Sequence, residues 1–287
     1  MNDPRPWALT IAGSDPTGGA GLQADLKVFS VALIHGASVT TAITAQSPKG
    51  ARATHPLPAT WVSEQLEPVL TDLPIAAIKS GMLGDAQTIA VIAAHLAAHP
   101  NVPYVLDPVL VASSGLPLLD PDAIPTLRDT LLPRATILTP NRPEAATLLD
   151  TDQASIDTDP LGAAQALLSL GPQAVLLKGG HSSDDPIVDL WLDQNGVHVE
   201  LTSPRIETTR THGTGCTLSA ALAAALAHGD TPLDAADRAR TYMTEVLKRS
   251  VESAAHNNLK TLYALWEPDA ENPLIDHKRS DSEPSLG

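Results

Sequence analysis

Cross-linking and aromatic packing are nearly closed to this chain. A single cysteine, Cys216, stands among 287 residues, so no disulfide can form within the chain, and a reducing cytosol is the expected compartment. Aromatic residues make up 3%, with one Phe, so the core must come from Leu, Val, Ile and Ala. Positive charge is scarce too: 18 Lys and Arg against 33 Asp and Glu give a formal net charge of −15, which argues against non-specific nucleic-acid binding. No apolar run approaches the roughly 18 residues of a membrane span. The first residues, Met1-Asn2-Asp3-Pro4-Arg5-Pro6, lack the charged and apolar regions of a secretory leader, so neither membrane nor export is expected. A phosphate site in so acidic a chain has to be local, built from backbone amides and a few cations.

Short apolar runs alternate with helical patterns. Strands are expected at residues 7–12, 38–45, 76–79, 104–107, 136–139 and 174–178, and helices near 20–33, 59–71, 85–98, 120–132, 142–149, 161–170 and 215–228. That alternation predicts an α/β fold, doubly wound, with a mostly parallel sheet and helices on both faces. Two further runs, 187–192 and 198–201, flank Asp193-Gln194-Asn195-Gly196; Asn-Gly is a strong turn signal, so an antiparallel edge hairpin is expected. Residues 1–266 read as one domain, and 267–287, rich in Asp, Glu, Pro and Ser, as an acidic flexible tail.

In such a sheet ligands bind beyond the carboxyl ends of the strands. Polar and glycine residues gather there. The densest stretch is Arg210-Thr211-His212-Gly213-Thr214-Gly215-Cys216-Thr217-Leu218-Ser219, a glycine turn opening an Ala/Leu helix. Backbone N–H groups and the helix dipole make such a turn suited to a phosphate or a developing anion. A tight turn before a buried helix would look the same. Gly19-Ala20-Gly21-Leu22-Gln23-Ala24 fits a dinucleotide fingerprint, but no Asp or Glu follows between Leu26 and Ser63 to hold a ribose, and that reading is rejected. Gly-Lys occurs nowhere, which removes a P-loop, and His212 with Cys216 lacks the paired spacing of a zinc site. Asp25 could be a solvated helix acid. Asp107, at a strand end before Pro108, is well placed to face a metal-bound phosphate. Asn141 and Glu144 fit a plain N-cap and its third residue. Lys178, beside Gly179 and Gly180, could reach a phosphate or merely end its strand in water.

Together these stretches resemble a known family. Ala12-Gly13-Ser14-Asp15, Gly18-Gly19-Ala20-Gly21-Leu22-Gln23-Ala24-Asp25-Leu26-Lys27, Thr44-Ala45-Gln46, Lys79-Ser80-Gly81-Met82-Leu83-Gly84, Leu106-Asp107-Pro108-Val109, Thr139-Pro140-Asn141, Lys178-Gly179-Gly180-His181 and His212-Gly213-Thr214-Gly215-Cys216 follow in order between Trp7 and Tyr263. They look like the hydroxymethylpyrimidine/phosphomethylpyrimidine kinases of thiamine biosynthesis, within the ribokinase-like superfamily. The resemblance implies ATP and Mg²⁺ as cofactors, phosphorylation of a hydroxymethyl aminopyrimidine and then of its monophosphate, and a homo-oligomer, most simply a dimer. It implies substrate contacts at Gly13, Asp25, Gln46 and Met82, nucleotide contacts at Asn141, Glu144, Lys178 and Thr211, and metal and phosphate organisation by Asp107 and Glu144. It makes Gly213, Gly215 and Cys216, with Lys178, the catalytic anion hole. Ser80 replaces a more usual threonine and keeps the hydroxyl. A pyridoxal or pyridoxine kinase is the nearest alternative, and a catalytically dead binding module the rival from another class. Cys216 is expected to have its pKa lowered by the helix N-terminus, and so to act as a base or only to shape the hole.

Overall fold

The computed structural model describes residues 5–47, 50–112, 115–180, 185–208, 211–252 and 272–275. His181 and Arg210 of the quoted motifs lie outside these residues. The strands are β1 (Trp7–Ser14), β2 (His35–Ser47), β3 (Gly50–Pro56), β4 (Ile75–Ser80), β5 (Tyr104–Leu106), β6 (Ile137–Leu138), β7 (Ala174–Leu177), β8 (Ile187–Asp193) and β9 (His198–Ser203). They form one sheet in the order β3-β2-β1-β4-β5-β6-β7-β8-β9. β2, β1, β4, β5, β6 and β7 run parallel, while β3, β8 and β9 pair antiparallel with their neighbours. The expected edge hairpin is therefore present as β8–β9. The chain runs from β1 to β2 on one side, then crosses to β4 on the other. That reversal opens a crevice at the carboxyl ends of β1 and β4.

The helices are α1 (Gly21–Val31), α2 (Ala59–Asp72), α3 (Ala86–Ala97), α4 (Ile124–Thr126), α5 (Arg142–Leu149), α6 (Gln153–Thr158), α7 (Pro160–Leu168), α8 (Thr214–Ala227) and α9 (Pro232–Glu252). Strand residues alternate between two cores, as period-2 side chains must. Leu9, Ile78, Leu106 and Leu138 face one side, with residues of α2, α3, α5 and α7. Ala8, Ala77, Val105, Ile137 and Ala174 face the other, with α1, α8 and α9. The second face is small because α8 lies against it. Every residue of α8 from Thr217 to Ala227 is buried, and its Ala/Leu sequence lets a central helix pack closely all round. Among the described residues no helix is long and apolar enough to cross a membrane.

Several elements differ from the sequence reading. The expected helix at 120–132 is a broken ramp: 3₁₀ turns at Pro121–Ala123 and Leu132–Arg134 enclose the single turn α4 and a π-helical turn, Leu127–Leu131. Pro125 and Pro133 withhold backbone donors from a continuous α-helix. α6 and β3 were not anticipated. β3 is Gly-Ala-Arg-Ala-Thr-His-Pro, with no apolar alternation, and is a strand because it pairs with β2. α9 was also missed, although the signal was there. Thr231 and Asp234 cap its start, the Thr231 hydroxyl donating to Asp234 Oδ2 at 2.6 Å, and Ala235, Ala236, Ala239, Tyr242, Met243 and Val246 recur at helical spacing on its buried side. Of the expected tail at 267–287, only 272–275 are described. They are docked: Leu274 is fully buried and Asn272 Nδ2 donates to Val31 O at 2.6 Å.

Candidate active site

Charged groups converge where β4, β5 and β7 end and α8 begins. Asp107 follows β5 directly and is 1% exposed. Its Oδ1 accepts from Lys178 Nζ at 3.1 Å and from Thr139 Oγ1 at 3.3 Å, and its Oδ2 accepts from Ser219 Oγ at 3.1 Å. Lys178, one residue past β7, also lies 3.9 Å from Glu144 Oε2, so its ammonium stands between two carboxylates. Burial opposes charge on all three groups, and their mutual attraction decides the outcome. Burial would strip the Lys178 proton, but Asp107 and Glu144 hold it above the ordinary lysine value. Burial would raise Asp107, but Lys178 and Lys79 keep it below the usual carboxylate range. For Glu144 burial wins: with Asp107's charge adding to it, the carboxyl is pushed up to about 7 against the pull of Lys178.

Glu144 is also structural. Asn141 Oδ1 accepts from Glu144 N at 2.8 Å, and Glu144 Oε2 accepts from Asn141 N at 2.8 Å, a complete capping box at the start of α5. The N-cap reading and the site reading therefore hold together. Among the described residues no three His, Cys, Asp or Glu side chains are arranged to hold a metal ion alone. Asp107 and Glu144 make a two-carboxylate set, which suits Mg²⁺ when phosphate oxygens complete its shell.

The glycine turn faces this cluster. Gly213 caps α8 with φ of 91°, and no side chain caps the helix, so the positive end of its dipole is left to the site. A Cβ on Gly213 would lie 1.8 Å from Gly19 O, so this glycine is required by backbone packing against the β1–α1 loop. Gly215 differs: a Cβ there would sit 3.6 Å from Lys178 Nζ and 3.7 Å from Asp107 Oδ2, in the space above the charges. Thr211 is exposed at the entry to the turn, and its carbonyl accepts from Thr214 Oγ1 at 2.9 Å.

Beneath lies a second pair. Asp25 Oδ2 accepts from Lys79 Nζ at 2.8 Å and from Thr10 Oγ1 at 2.6 Å, with neither side chain of the ion pair exposed. Burial pushes the Asp25 carboxyl up, against the pull of Lys79. Burial likewise opposes the Lys79 charge, but Asp25 holds that ammonium well above its ordinary value. Asp25, expected to contact a substrate ring, has its carboxylate sealed from solvent in this structure and is no solvated helix acid. The expectation for Cys216 is corrected. Burial pushes its thiol up to about 11, more than Lys79 and the Gly21 amide pull it down, so the thiol is neutral near pH 7.

The remaining expected substrate residues come together beside the crevice. A Cβ on Gly13 would meet Met82 Sδ at 2.8 Å, so the glycine makes room for the methionine. Met82 is anchored in turn, its carbonyl accepting from Thr41 Oγ1 at 2.6 Å. Gln46, near the end of β2, places its amide 2.8 Å from His212 Nε2, and His212 Nε2 lies 3.0 Å from Asp15 Oδ2. Lys79, Asp15 and His212 were quoted in motifs but given no part. For Lys79 the overlooked signal was a charge ending the apolar run Ala76-Ala77-Ile78 of a central strand. A surface groove of about 420 Å³ lined by Ala93, Asp129, Thr130 and Arg134 shares no residue with this cluster.

Comparison with known proteins finds relatives over most of the chain. A family model described as phosphomethylpyrimidine kinase matches residues 15–260. The hydroxymethylpyrimidine/phosphomethylpyrimidine kinase of Escherichia coli is 43% identical over 243 residues, 85% of this chain and 91% of that protein. Its counterpart from Synechococcus elongatus is 46% identical over 248 residues, covering 86% and 93%. Among solved structures, phosphomethylpyrimidine kinase from Clostridium difficile aligns with a TM-score of 0.73 at 38% identity, over 84% of this chain and 99% of that one. The pyridoxal kinase of Staphylococcus aureus in complex with AMP-PCP and pyridoxal aligns at 0.78 and 34% identity, over 86% and 89%.

Two outcomes follow from the charges. Lys79→Met strands a buried carboxylate and should cost about 3–5 kcal/mol in urea unfolding, with Lys79→Met/Asp25→Asn recovering much of it. A loss below about 1 kcal/mol would show that the pair holds nothing. The second concerns pH. Glu144 keeps its proton to about pH 7 in the fold but releases it near 4.5 when unfolded, so the folded state binds the extra proton between those values. Stability contributed by Glu144 therefore falls as pH rises through that window. Asp25 and Asp189, also raised, act in the same sense, and the lowered Asp15 and Asp107 act oppositely at lower pH. In metal-free buffer, unfolding midpoints of the parent minus those of Glu144→Gln should decline from about pH 5 to about pH 7. A flat difference would contradict the raised carboxyl.

Proposed function

The chain belongs to the phosphomethylpyrimidine kinase family, and on that footing we propose that it transfers the terminal phosphoryl group of ATP to 4-amino-5-hydroxymethyl-2-methylpyrimidine and then to the resulting monophosphate, as in thiamine biosynthesis. The observation that carries the reading is the Asp107–Lys178–Glu144 cluster set against the uncapped start of α8. Phosphoryl transfer asks for positioning and charge neutralisation more than for covalent chemistry. The backbone of Gly213–Cys216 and the Lys178 ammonium supply the second. Gly13, Gln46 and Met82, gathered at the crevice, supply the first. Asn141 and Thr211 border the nucleotide side. Asp107 and Glu144 would hold Mg²⁺ together with the phosphates of ATP, and the ion would neutralise the charge those phosphates carry.

Cys216 fits this scheme as part of the wall of the hole. A thiol with its pKa pushed up to about 11 is a weak source of thiolate near neutrality, so it donates a hydrogen bond or fills space. The hydroxymethyl oxygen must lose a proton during the first transfer, whereas a phosphate monoester is already mostly ionised at neutral pH. A base would therefore matter to one step alone.

A second reading has support in the solved pyridoxal kinases from Staphylococcus aureus and Bacillus subtilis, which share the fold at 34% identity. A hydroxymethylpyridine is similar in size and polarity to the pyrimidine. A coupled ATP assay with both rings tests the proposal: kcat/KM should favour the aminopyrimidine. Preference for pyridoxal would install the second reading, and no turnover with either ring would leave a binding module. Rates measured separately on the alcohol and on its monophosphate examine Cys216. Cys216→Ala should slow both by the same factor; damage confined to the first step would restore the base.

A further inference from the structure

Three segments meet at His212. It immediately precedes Gly213 and so belongs to the turn that opens α8. Its Nε2 lies 3.0 Å from Asp15 Oδ2, in the β1–α1 loop, and 2.8 Å from Gln46 Nε2, near the end of β2. Asp15 is 3% exposed, and its carboxylate already accepts from Thr17 N at 2.8 Å, Thr17 Oγ1 at 2.8 Å and Ala20 N at 2.9 Å. Burial would raise that carboxyl, but His212 and Thr17 keep it below its ordinary value. An ionised carboxylate is an acceptor only. His212 Nε2 must therefore carry a proton and donate it to Asp15.

A ring nitrogen that bears a proton has no lone pair for an amide NH₂. The orientation of an amide is assigned from the inventory of donors and acceptors around it. Here that inventory requires Gln46 Oε1, not Nε2, to face His212. The other end of the amide agrees. The Thr44 hydroxyl donates to Ser14 O at 2.9 Å, which occupies its one proton, so its 3.4 Å approach to the Gln46 side chain can only be as an acceptor. An amide turned this way meets both neighbours: its carbonyl shares the one Nε2 proton of His212 with Asp15, and its NH₂ reaches Thr44. The second N–H is left for a ligand.

We propose that His212 is a positioning residue that fixes the Gln46 amide with its oxygen held inward, so that the site presents a donor and selects a ring bearing a hydrogen-bond acceptor on that edge, such as an unprotonated ring nitrogen. The inference rests on the reading of Gln46 as a ring-recognition residue. It also gives a reason for the composite build of the site. The Gly19 carbonyl packs against Gly213, and Asp15 holds the β1–α1 loop, so the residue that opens the anion hole also sets the amide that reads the ring.

A double-mutant cycle tests it. KM for 4-amino-5-hydroxymethyl-2-methylpyrimidine and for ATP is measured for the parent, Gln46→Ala, His212→Ala, the double variant and His212→Gln. His212→Ala should raise the ring KM roughly tenfold, the effect of one misdirected hydrogen bond, with the ATP KM unchanged. In the Gln46→Ala background, loss of His212 should add nothing further to the ring KM. His212→Gln, whose amide N–H reaches near the lost Nε2, should recover most of the loss. Additive effects, a change confined to kcat or to the ATP KM, or no recovery by glutamine would overturn the positioning role while leaving the kinase reading intact. An unchanged ring KM in Gln46→Ala would instead remove Gln46 from the ring site and the inference with it. Should His212→Ala fail to fold, His212→Asn, too short to span Asp15 and Gln46, takes its place in the cycle.

Discussion

The Lys79 ammonium and the Asp25 carboxylate meet at 2.8 Å with no part of either side chain in contact with solvent, and much of the molecule is arranged around that burial. A charge removed from water persists only with a partner close by. Lys79 comes from β4 and Asp25 from α1, so their attraction ties a helix to the centre of the sheet. The pair also shapes its surroundings. A Cβ on Gly81 would lie 2.9 Å from Lys79 Nζ, so a side chain there would have to displace the paired ammonium. Thr10, inside β1, turns its hydroxyl to Asp25 on the face opposite its strand neighbours Leu9 and Ile11, which point into an aliphatic core.

The same constraint repeats toward the surface with looser closure. Asp107 and Lys178 form a second buried pair, and Glu144 stands at its edge with a carboxyl pushed up to about 7. Two ammonium groups face two ionised carboxylates and a third acid on the verge of ionising. The net charge of a cluster so balanced opposes neither an anion nor a cation. A cluster dominated by either sign would repel one of them. The neutral Cys216 thiol fits this balance, since another anion beside Asp25 and Asp107 would be opposed by both.

Glycine and alanine allow the approach on which these contacts depend. α8 carries its uncapped N-terminus to the charges because its Ala-rich sides fit against Ala8, Ala77 and Ala174 of the sheet. Gly213 then lets the turn rest on the Gly19 carbonyl, and Gly13 lets Met82 close over the crevice. Larger residues at these places would hold the turn, the loop and the strands apart.

Much of this was legible in the sequence. Alternating apolar runs fixed the parallel sheet, Asn195-Gly196 the edge hairpin, and Gly213-Thr214-Gly215-Cys216 the start of α8, because each is a local pattern with a local cause. The capping box of Asn141 and Glu144 was readable for the same reason. α9 was legible and overlooked. β3 was not, since its residues carry no strand signal and pairing with β2 alone makes them a strand. The pairing of Asp25 with Lys79 and the neutral state of the Cys216 thiol were likewise beyond reach. A sequence shows which residues can bear charge or a thiol proton; whether they do depends on how much water reaches them and which charges stand within a few ångströms. Those quantities exist only once β4, α1 and α8 have packed, and it is that packing which buried Asp25, neutralised Cys216 and brought His212, Asp15 and Gln46, far apart in the chain, within hydrogen-bonding distance.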